Sequence, residues 1–369
     1  MWIKITPKDT LFFRSGRPFS MGSETWADEL FPPFPSTIYG AIRTFFIFNR
    51  GSLKEFKEKG YLDIGNIKTK GTMKIRGPFL GNIEENILYF PIPFDCVRKK
   101  NETEENKVFI LKRVEKPSIF YSDEKLEEIL IWKEKDQVDE ANEYFDITEF
   151  KKYLQSSASN YHYVSHKSFF NIEPKIGIAR NKRTLTSKEG YLYRIPLIRL
   201  KNSFGFLVEI ENLSFENDFP NKGIFQLGGE GKTVIFEKID FNPMENIENI
   251  NFEFANGIFK VYFATPAIFE NGWIPKWIDE NTMRGKKEGV EVQLVACAIG
   301  KYIRIGGWDI AKGEPKTMYK AVPAGSVYYF KILDGSSPQK IKDIFHFKNI
   351  SDINPEEGFG LSFVGEVKS

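Results

Sequence analysis

The sequence is poor in the residue types that build metal sites and disulfide frameworks. Its 369 residues include two cysteines and three histidines. Neither Cys96 nor Cys297 lies in a Cys-x-x-Cys or Cys/His spacing, which zinc and dithiol redox sites require. We therefore expect no metal and no cofactor, and we expect a reducing, cytoplasmic environment.

Long apolar runs and a charge excess of one sign are also absent. No run approaches the roughly 18 apolar residues that a membrane span needs, and Met1–Thr6 lacks the apolar core of a signal peptide. The 52 basic and 50 acidic residues give a net charge of +2. We expect a soluble protein without a membrane partner, in which any site for a polyanion is local.

Residues arranged for catalysis are scarce. His162, His166 and His346 lie in no triad or metal spacing, and no Asp-x-Asp pair marks a two-metal site. His162 and His166 are four residues apart and would share the face of a helix, but their aromatic and β-branched neighbours favour a strand or loop. We predict no catalytic residue and a protein that is not an enzyme.

Apolar and glycine residues, in contrast, are abundant and patterned. The chain is 41% hydrophobic with 35 Phe, and its length suits two domains better than one core. A glycine cluster twice precedes a strand-like run. Gly228-Gly229-Glu230-Gly231 leads into Lys232–Phe236, and Gly358-Phe359-Gly360 leads into Leu361–Val367.

The second half of the chain has the pattern strand, helix, strand, strand, helix, strand. Strands are predicted at Ile258–Ala264, Tyr302–Trp308, Ser326–Leu333 and the C-terminal run, with helices at Val290–Ile299 and Ile341–Phe347. The first half fits the same order if its centre holds long insertions. We predict an α+β fold of two tandem ferredoxin-like βαββαβ domains, residues 1–241 and 256–369, each with an antiparallel sheet covered on one face by two helices.

Three segments of the first half have distinct signatures. Thr37–Asn49 has a helical apolar stripe, and Ser36 is placed to cap that helix. Residues 121 to 157 interleave charged and apolar residues, which predicts a helical insertion with a solvated face. Residues 175 to 200 are predicted to form a basic hairpin.

The predicted hairpin concentrates positive charge. Between Lys175 and Lys201 there are eight cations and one acid, Glu189. Tyr191, Tyr193 and nearby Phe204 add aromatic rings, and single-stranded nucleic acids bind this combination of cations and stacking surfaces. The alternative is a solvated hairpin with incidental charge. The cations are Lys175, Arg180, Lys182, Arg183, Lys188, Arg194, Arg199 and Lys201.

The first glycine cluster partly matches a phosphate-binding loop. Gly231-Lys232-Thr233 fits the end of the Walker pattern, but Gln226 stands where that pattern requires glycine and the following run predicts a strand. An NTPase is therefore not expected. The cluster is either a tight turn or a surface where RNA phosphates approach backbone amides.

Two further groups of cations are candidate anion sites. In the N-terminal group, the free amides at the predicted helix start and the nearby arginines could bind a phosphate. The alternative is that these residues serve only as a helix N-cap and as surface charge. In the second half, cations surround Trp308, which is either a stacking platform or core. The first group is Arg14, Arg17, Ser36, Thr37 and Arg43; the second is Lys301, Arg304, Trp308, Lys312, Lys316 and Lys320.

Residues 11–19 (LFFRSGRPF) and 31–44 (FPPFPSTIYGAIRT) together resemble the RAMP-superfamily subunits that bind the crRNA 5′ tag in type III-B CRISPR (Cmr) complexes. Weaker matches extend along the whole chain, while residues 121–157 match no motif of that family. The weaker matches are Gly177–Arg180, Gly190–Tyr193, Leu227–Glu230, Gly306–Asp309 and Ala321–Phe330.

This resemblance implies tandem ferredoxin-like domains and a non-catalytic role. The subunit would hold the repeat-derived 5′ tag of the guide RNA beside the large polymerase-like subunit and the backbone RAMP subunit. The RNA-binding residues predicted from charge and motif position are Arg14, Arg17, Ser36, Thr37, Arg43, Arg180, Lys182, Arg183, Gly228, Gly229, Gly231, Lys232, Arg304, Trp308, Lys316, Gly358 and Gly360.

Two other functions remain open at this point. One is a metal-independent RAMP endoribonuclease that processes guide precursor RNA with His162, His166 or a tyrosine. The other is a general RNA-binding module outside CRISPR defence, which would show no preference for the tag.

Overall fold

The computed structural model describes residues 1–14, 30–100, 106–117, 125–214 and 219–368, with backbone alone for residues 188–193. Contacts between Cα atoms divide the chain into two compact units, each built from three stretches of sequence. The first unit comprises Met1–Glu85, Lys167–Asp240 and Arg304–Tyr319, and the second comprises Asn86–His166, Phe241–Ile303 and Lys320–Ser369.

The N-terminal half of the chain is rich in strands. They begin with β1 (Trp2–Pro7), α1 (Pro35–Arg50), α2 (Leu53–Glu58) and β2 (Lys74–Asn82). Next come β3 (Ile87–Pro91), β4 (Cys96–Lys99), β5 (Lys107–Ile110), β6 (Lys112–Glu115), β7 (Glu128–Ile131), β8 (Val138–Glu140), β9 (Tyr144–Asp146), α3 (Ile147–Leu154) and β10 (Asn160–His162). This half ends with β11 (Phe170–Arg180), β12 (Ser187–Leu200), β13 (Phe204–Glu211), β14 (Lys222–Gln226) and β15 (Thr233–Ile239).

The C-terminal half contains two short helices and ten strands among the residues described. They are α4 (Glu245–Glu248), β16 (Ile258–Phe263), β17 (Arg284–Lys287), β18 (Val290–Ala298), β19 (Ile303–Ile305), β20 (Trp308–Asp309), β21 (Glu314–Pro315), β22 (Tyr319–Ala321), β23 (Val327–Ile332), α5 (Pro338–Phe345), β24 (Lys348–Asn349) and β25 (Leu361–Glu366). An α+β fold is confirmed.

The first unit is built on an antiparallel sheet. Strand β1 pairs with β13 on one side and β15 on the other, β2 pairs with β13, and β14 pairs with β15. Helix α1 covers one face, where the Phe45 ring contacts Phe225 and Phe236. Burying one such side chain contributes about 2 kcal/mol, so this aromatic cluster fixes the helix on the sheet.

The central sheet of the second unit has the order β17-β18-β23-β16-β25-β24. Its middle strand β16 is buried at every position. Phe345 of α5 contacts Phe259 on one face, and Phe150 of α3 contacts Tyr262 on the other. Because both faces are covered, β16 is apolar throughout except at Lys260.

The two sheets share a strand order. With β1, β2, β13 and β15 taken as first to fourth, the first strand lies between the third and fourth, and the second borders the third. Strands β16, β18, β23 and β25 follow the same order. The first set has a helix, α1, between its first and second strands, whereas the second set has its helix, α5, between the third and fourth.

Three sequence-based predictions of helix structure were wrong. Val290–Ala298 is strand β18, because a short apolar run rich in β-branched residues pairs with β23 rather than coiling. The described part of 121–157 contains strands β7, β8 and β9, and only Ile147–Leu154 is helical. Helix α1 begins at Pro35 rather than after Ser36, since proline has no N–H and suits the first helical position.

The predicted strand Tyr302–Trp308 is divided into β19 and β20, which pair with β22 and β21 outside the six-stranded sheet, and that sheet is covered on both faces rather than on one. Several other local predictions hold. Residues 37–49 are helical, residues 175–200 lie in the β11–β12 hairpin, and the two glycine clusters directly precede β15 and β25. Among the described residues, no helix is long and apolar enough to cross a lipid bilayer.

Candidate nucleic-acid interface

Three sequence-distant segments of the first unit meet at the end of β1. Leu11 exchanges backbone hydrogen bonds with Ile198 of β12, at N–O distances of 2.7 and 2.8 Å. The Phe12 ring packs with Ile195 and Leu197 of the same strand. The backbone N–H of Gly229 donates to the carbonyl of Phe12 at 2.9 Å. The structure thus joins the N-terminal motif, the basic hairpin (β11–β12) and the first glycine cluster.

The glycines of that cluster have different environments. A Cβ on Gly228 would lie 2.3 Å from the Phe12 carbonyl oxygen, and one on Gly229 would lie 2.9 Å from the Phe12 ring. Both positions therefore need glycine because the N-terminal segment packs on the turn. Gly231 also has a positive φ of +64°, but a Cβ there would meet nothing within 4 Å. Gly231 is where the turn is open to an approaching ligand.

Ion pairs connect the glycine turn to the hairpin base. Lys175 Nζ lies 2.8 Å from a carboxylate oxygen of Glu230. Arg199 of β12 binds both Asp9 and Glu173, and Lys232 Nζ lies 3.5 Å from the other oxygen of Asp9. The Thr10 backbone N–H and the Arg199 guanidinium lower the pKa of Asp9, and Arg199 lowers that of Glu173. Cations at the hairpin base are therefore paired with carboxylates.

The tip of the hairpin, residues 180–186, has a different charge balance. Arg180, Lys182 and Arg183 are exposed, and none of them pairs with a carboxylate among the residues that the structure describes. The Asn181 side chain accepts from the Arg183 backbone N–H at 2.9 Å, which fixes the turn. Arg180 Nε donates to the Leu185 carbonyl at 3.2 Å. The tip presents three positive charges to solvent.

Exposed apolar residues accompany these charges. Ile172, Ile176 and Ile178 alternate along β11 and are 47%, 60% and 50% exposed. Alternation puts them on one face of the hairpin. Sequence reasoning selected the cations and missed this strip, although the two-residue spacing was visible. The cations of the hairpin suit RNA phosphates, and the aliphatic side chains beside them suit contact with ribose and bases.

The N-terminal group of predicted RNA contacts is separated by the structure. Arg43 donates to the carbonyls of Ile64, Asn66 and Thr69 at 2.7 to 3.0 Å, so its guanidinium holds the loop after α2. Ser36 and Thr37 are half-buried in the first turn of α1, and Arg14 is exposed. Arg17 lies outside the described residues.

Trp308, Lys312 and Lys316 lie in a small hairpin of the first unit, whereas Lys301 and Lys320 belong to the second unit. Trp308 of β20 pairs with Pro315 of β21, and the Lys316 N–H donates to the Gly307 carbonyl at 2.9 Å. The Trp308 side chain is 60% exposed, so it is a surface residue and not part of the core. Arg304 is also exposed.

The second glycine cluster serves packing in the second unit. Gly358, with φ +96°, ends a short 3-10 turn, and its carbonyl accepts from the Thr265 hydroxyl at 2.7 Å. A Cβ on Gly360 would lie 2.5 Å from the Ser351 backbone nitrogen. The positive φ explains Gly358, and the close approach of the chain to itself explains Gly360.

The histidines lie in strands and turns. His166 Nδ1 is 3.1 Å from a carboxylate oxygen of Glu143, whereas His162 contacts Glu149 through its backbone N–H. His346 is buried between the Ile247 carbonyl and the Val364 N–H, and burial lowers its pKa to about 4. The part of the chain that is described contains no group of three or more His, Cys, Asp or Glu placed to hold a metal ion.

Comparison with known proteins covers nearly the whole chain. The family model described as "CRISPR-associated protein (Cas_Cmr3)" matches residues 3–367. A curated relative, the CRISPR system CMR subunit Cmr3 of Saccharolobus solfataricus, is 24% identical over 345 residues, which cover 90% of this chain and 87% of the relative. A chain from the cryo-EM structure of Type III-B Cmr-beta bound to cognate target RNA and AMPPnP is 19% identical with a TM-score of 0.51, covering 89% of this chain and 86% of that chain.

Proposed function

The chain belongs to the Cas_Cmr3 family of CRISPR-associated proteins, and from that premise we propose that it is a non-catalytic RNA-binding and scaffolding subunit of a type III-B CRISPR (Cmr) effector complex. In this proposal it acts in cytoplasmic antiviral defence and holds the 5′ tag of the crRNA. It docks the large polymerase-like subunit and the backbone RAMP subunit. The family match over residues 3–367 carries the proposal.

We also propose that the chain contains two ferredoxin-like domains, residues 1–241 and 256–369. The shared strand order of the β1, β2, β13, β15 set and the β16, β18, β23, β25 set supports this assignment. In each set the order is that of a βαββαβ unit, with one of its two helices present. The β3–β10 segment is then an insertion in the first domain.

The RNA surface in this proposal is centred on the hairpin tip and the open end of the glycine turn. Arg180, Lys182 and Arg183 are exposed there without carboxylate partners among described residues, so their attraction for phosphates is not offset locally. Packing glycines and Arg43 shape the backbone around the RNA. The proposed direct contacts are Arg14, Arg17, Ser36, Thr37, Arg180, Lys182, Arg183, Gly231, Lys232, Arg304, Trp308 and Lys316.

The experiment compares binding of a labelled single-stranded RNA carrying the repeat tag by wild type and by a variant with Arg180, Lys182 and Arg183 replaced by alanine. We expect weaker binding and a shallower dependence of affinity on salt, by about 0.7 in the log–log slope for each lost phosphate contact. The matched control replaces Lys54, Lys57 and Lys59, three exposed cations near α2 of the same unit, by alanine. Equal losses in both variants would contradict the proposed surface.

A further inference from the structure

Beside the open Gly231, two cations are held by a carboxylate of the protein itself. The Lys232 ammonium donates to the Thr10 hydroxyl at 2.8 Å and lies 3.5 Å from Asp9. The Arg199 guanidinium donates to the other Asp9 oxygen at 2.9 Å. Asp9 therefore bridges a lysine and an arginine, which is the arrangement a phosphate oxygen pair would adopt between them.

The charges of this cluster cancel. Arg199 also forms a two-pronged contact with Glu173, so Asp9 and Glu173 balance Arg199 and Lys232. An RNA phosphate arriving here meets no net positive charge while Asp9 stays in place. Departure of Asp9 leaves a net charge of +1 next to the open backbone of Gly231.

Exposure shows which partner is free to leave. The Asp9 side chain is 60% exposed and follows the end of β1, whereas the Lys232 side chain is 18% exposed and is anchored by the buried Thr10. A change of rotamer moves the Asp9 carboxylate into water. Lys232 keeps its bond to Thr10 and Arg199 keeps its contacts with Glu173, so both cations stay in position.

We propose that Asp9 is a competitor built into the RNA site: its carboxylate occupies the position of a backbone phosphate on Lys232 and Arg199, and bound RNA replaces it. This inference rests on the proposed RNA-binding function. The consequence is selectivity between RNAs. An RNA that the protein also binds at other positions has enough binding energy to displace Asp9, whereas an unrelated RNA must displace it with one phosphate alone.

The test measures binding of the full-length wild type and D9N to two fluorescein-labelled 20-nucleotide single-stranded RNAs, one with the repeat tag and one unrelated. D9N should bind the unrelated RNA about threefold to tenfold more tightly, the range for removal of one unit charge about 5 Å from a phosphate at a protein surface. The log–log salt slope should steepen by about 0.7 for each newly paired phosphate. The tag-bearing RNA should gain less, so discrimination falls.

The matched control is E237Q. Glu237 also bridges two cations of the first unit, Lys4 and Lys222, and its replacement removes the same single charge. E237Q should bind both RNAs within twofold of wild type. Affinity of D9N equal to that of E237Q, or below that of wild type, would overturn the inference while leaving wild-type binding, and hence the proposed function, intact. Absence of RNA binding by both wild type and D9N would overturn both.

Discussion

Lys260 offers the strongest test of how the second unit is held together. It lies in the buried centre of β16 and is 1% exposed. Its ammonium lies 3.4 Å from the centroid of the Tyr153 ring, and no hydrogen-bond acceptor contacts it among the described residues. The Tyr153 and Tyr329 hydroxyls donate to Asp95 at 2.8 and 2.5 Å. Asp95 therefore has its own donors and does not depend on Lys260 for hydrogen bonds.

Burial of this ammonium opposes folding. Desolvation lowers the pKa of Lys260 from 10.5 to about 8, partly offset by attraction to Asp95. That shift corresponds to a cost of about 3 kcal/mol at neutral pH. The cation–π contact with Tyr153 returns about 1–2 kcal/mol. Lys260→Met keeps an unbranched side chain without the charge, so it should raise the free energy of unfolding by about 1–2 kcal/mol at pH 7.

The pH dependence follows from the sign of the shift. Between pH 8 and 10.5 the unfolded chain binds a proton at Lys260 that the folded chain does not, so wild-type stability gains from this group as pH rises. The advantage of Lys260→Met should therefore shrink by about 2.5 kcal/mol between pH 7 and pH 10 and become a disadvantage, because the methionine does not titrate.

Urea unfolding followed by tryptophan fluorescence at pH 7, 8.5 and 10 checks this prediction. Lys331→Met, on the neighbouring strand β23 where the lysine is exposed, serves as the control and should change stability by less than about 0.5 kcal/mol. A Lys260→Met protein that is less stable than wild type at pH 7, with a difference independent of pH, would show that the buried Lys260 charge does not oppose folding.

Three other predictions follow from the geometry. Gly360→Ala should destabilise the protein by about 2–3 kcal/mol, because the new Cβ meets the Ser351 nitrogen, whereas Gly231→Ala should destabilise it by about 1 kcal/mol from its positive φ alone. Thermal melting compares the two variants, and equal losses of stability would contradict the packing argument. Trp308→Ala should weaken single-stranded RNA binding about 5- to 100-fold without changing the melting temperature, if bases stack on the exposed indole, and unchanged affinity would remove Trp308 from the surface. Incubated with guide precursor RNA in chelator, wild type, His162→Ala and His166→Ala should all leave the RNA intact on a denaturing gel; cleavage lost in either variant would instead support an endoribonuclease.

Local sequence signals predicted the parts of the fold that local physics determines. The α1 stripe, the basic hairpin and the two glycine turns depend on residues close together in sequence, and all are present. The Val290–Ala298 run was misassigned because apolar continuity is shared by buried strands and buried helices, and pairing with β23 decides between them. The mixed 121–157 segment failed similarly, since the short strands β7 and β8 are held by pairing with β6 and β4, which no pattern within the segment reveals.

In the candidate site, too, the sequence predicted some residues and not the contacts between them. Charge and motif position selected Lys232 and the hairpin cations, but the ion pairs that neutralise the hairpin base join Asp9, Glu173, Arg199 and Lys232, four residues spread over the first unit. No local pattern connects them. Only the structure separates Gly228 and Gly229, which are required by packing, from the open Gly231.

The most direct test of the proposed role in a Cmr complex is to purify the protein, carrying an affinity tag, from its native host together with its partners and bound RNA, and to sequence that RNA. We expect co-purification with the large polymerase-like and backbone RAMP subunits, and RNAs that share one repeat-derived 5′ tag followed by varied guide sequences. A chain that purifies without these subunits, or with RNAs lacking a common 5′ end, would contradict the proposed role.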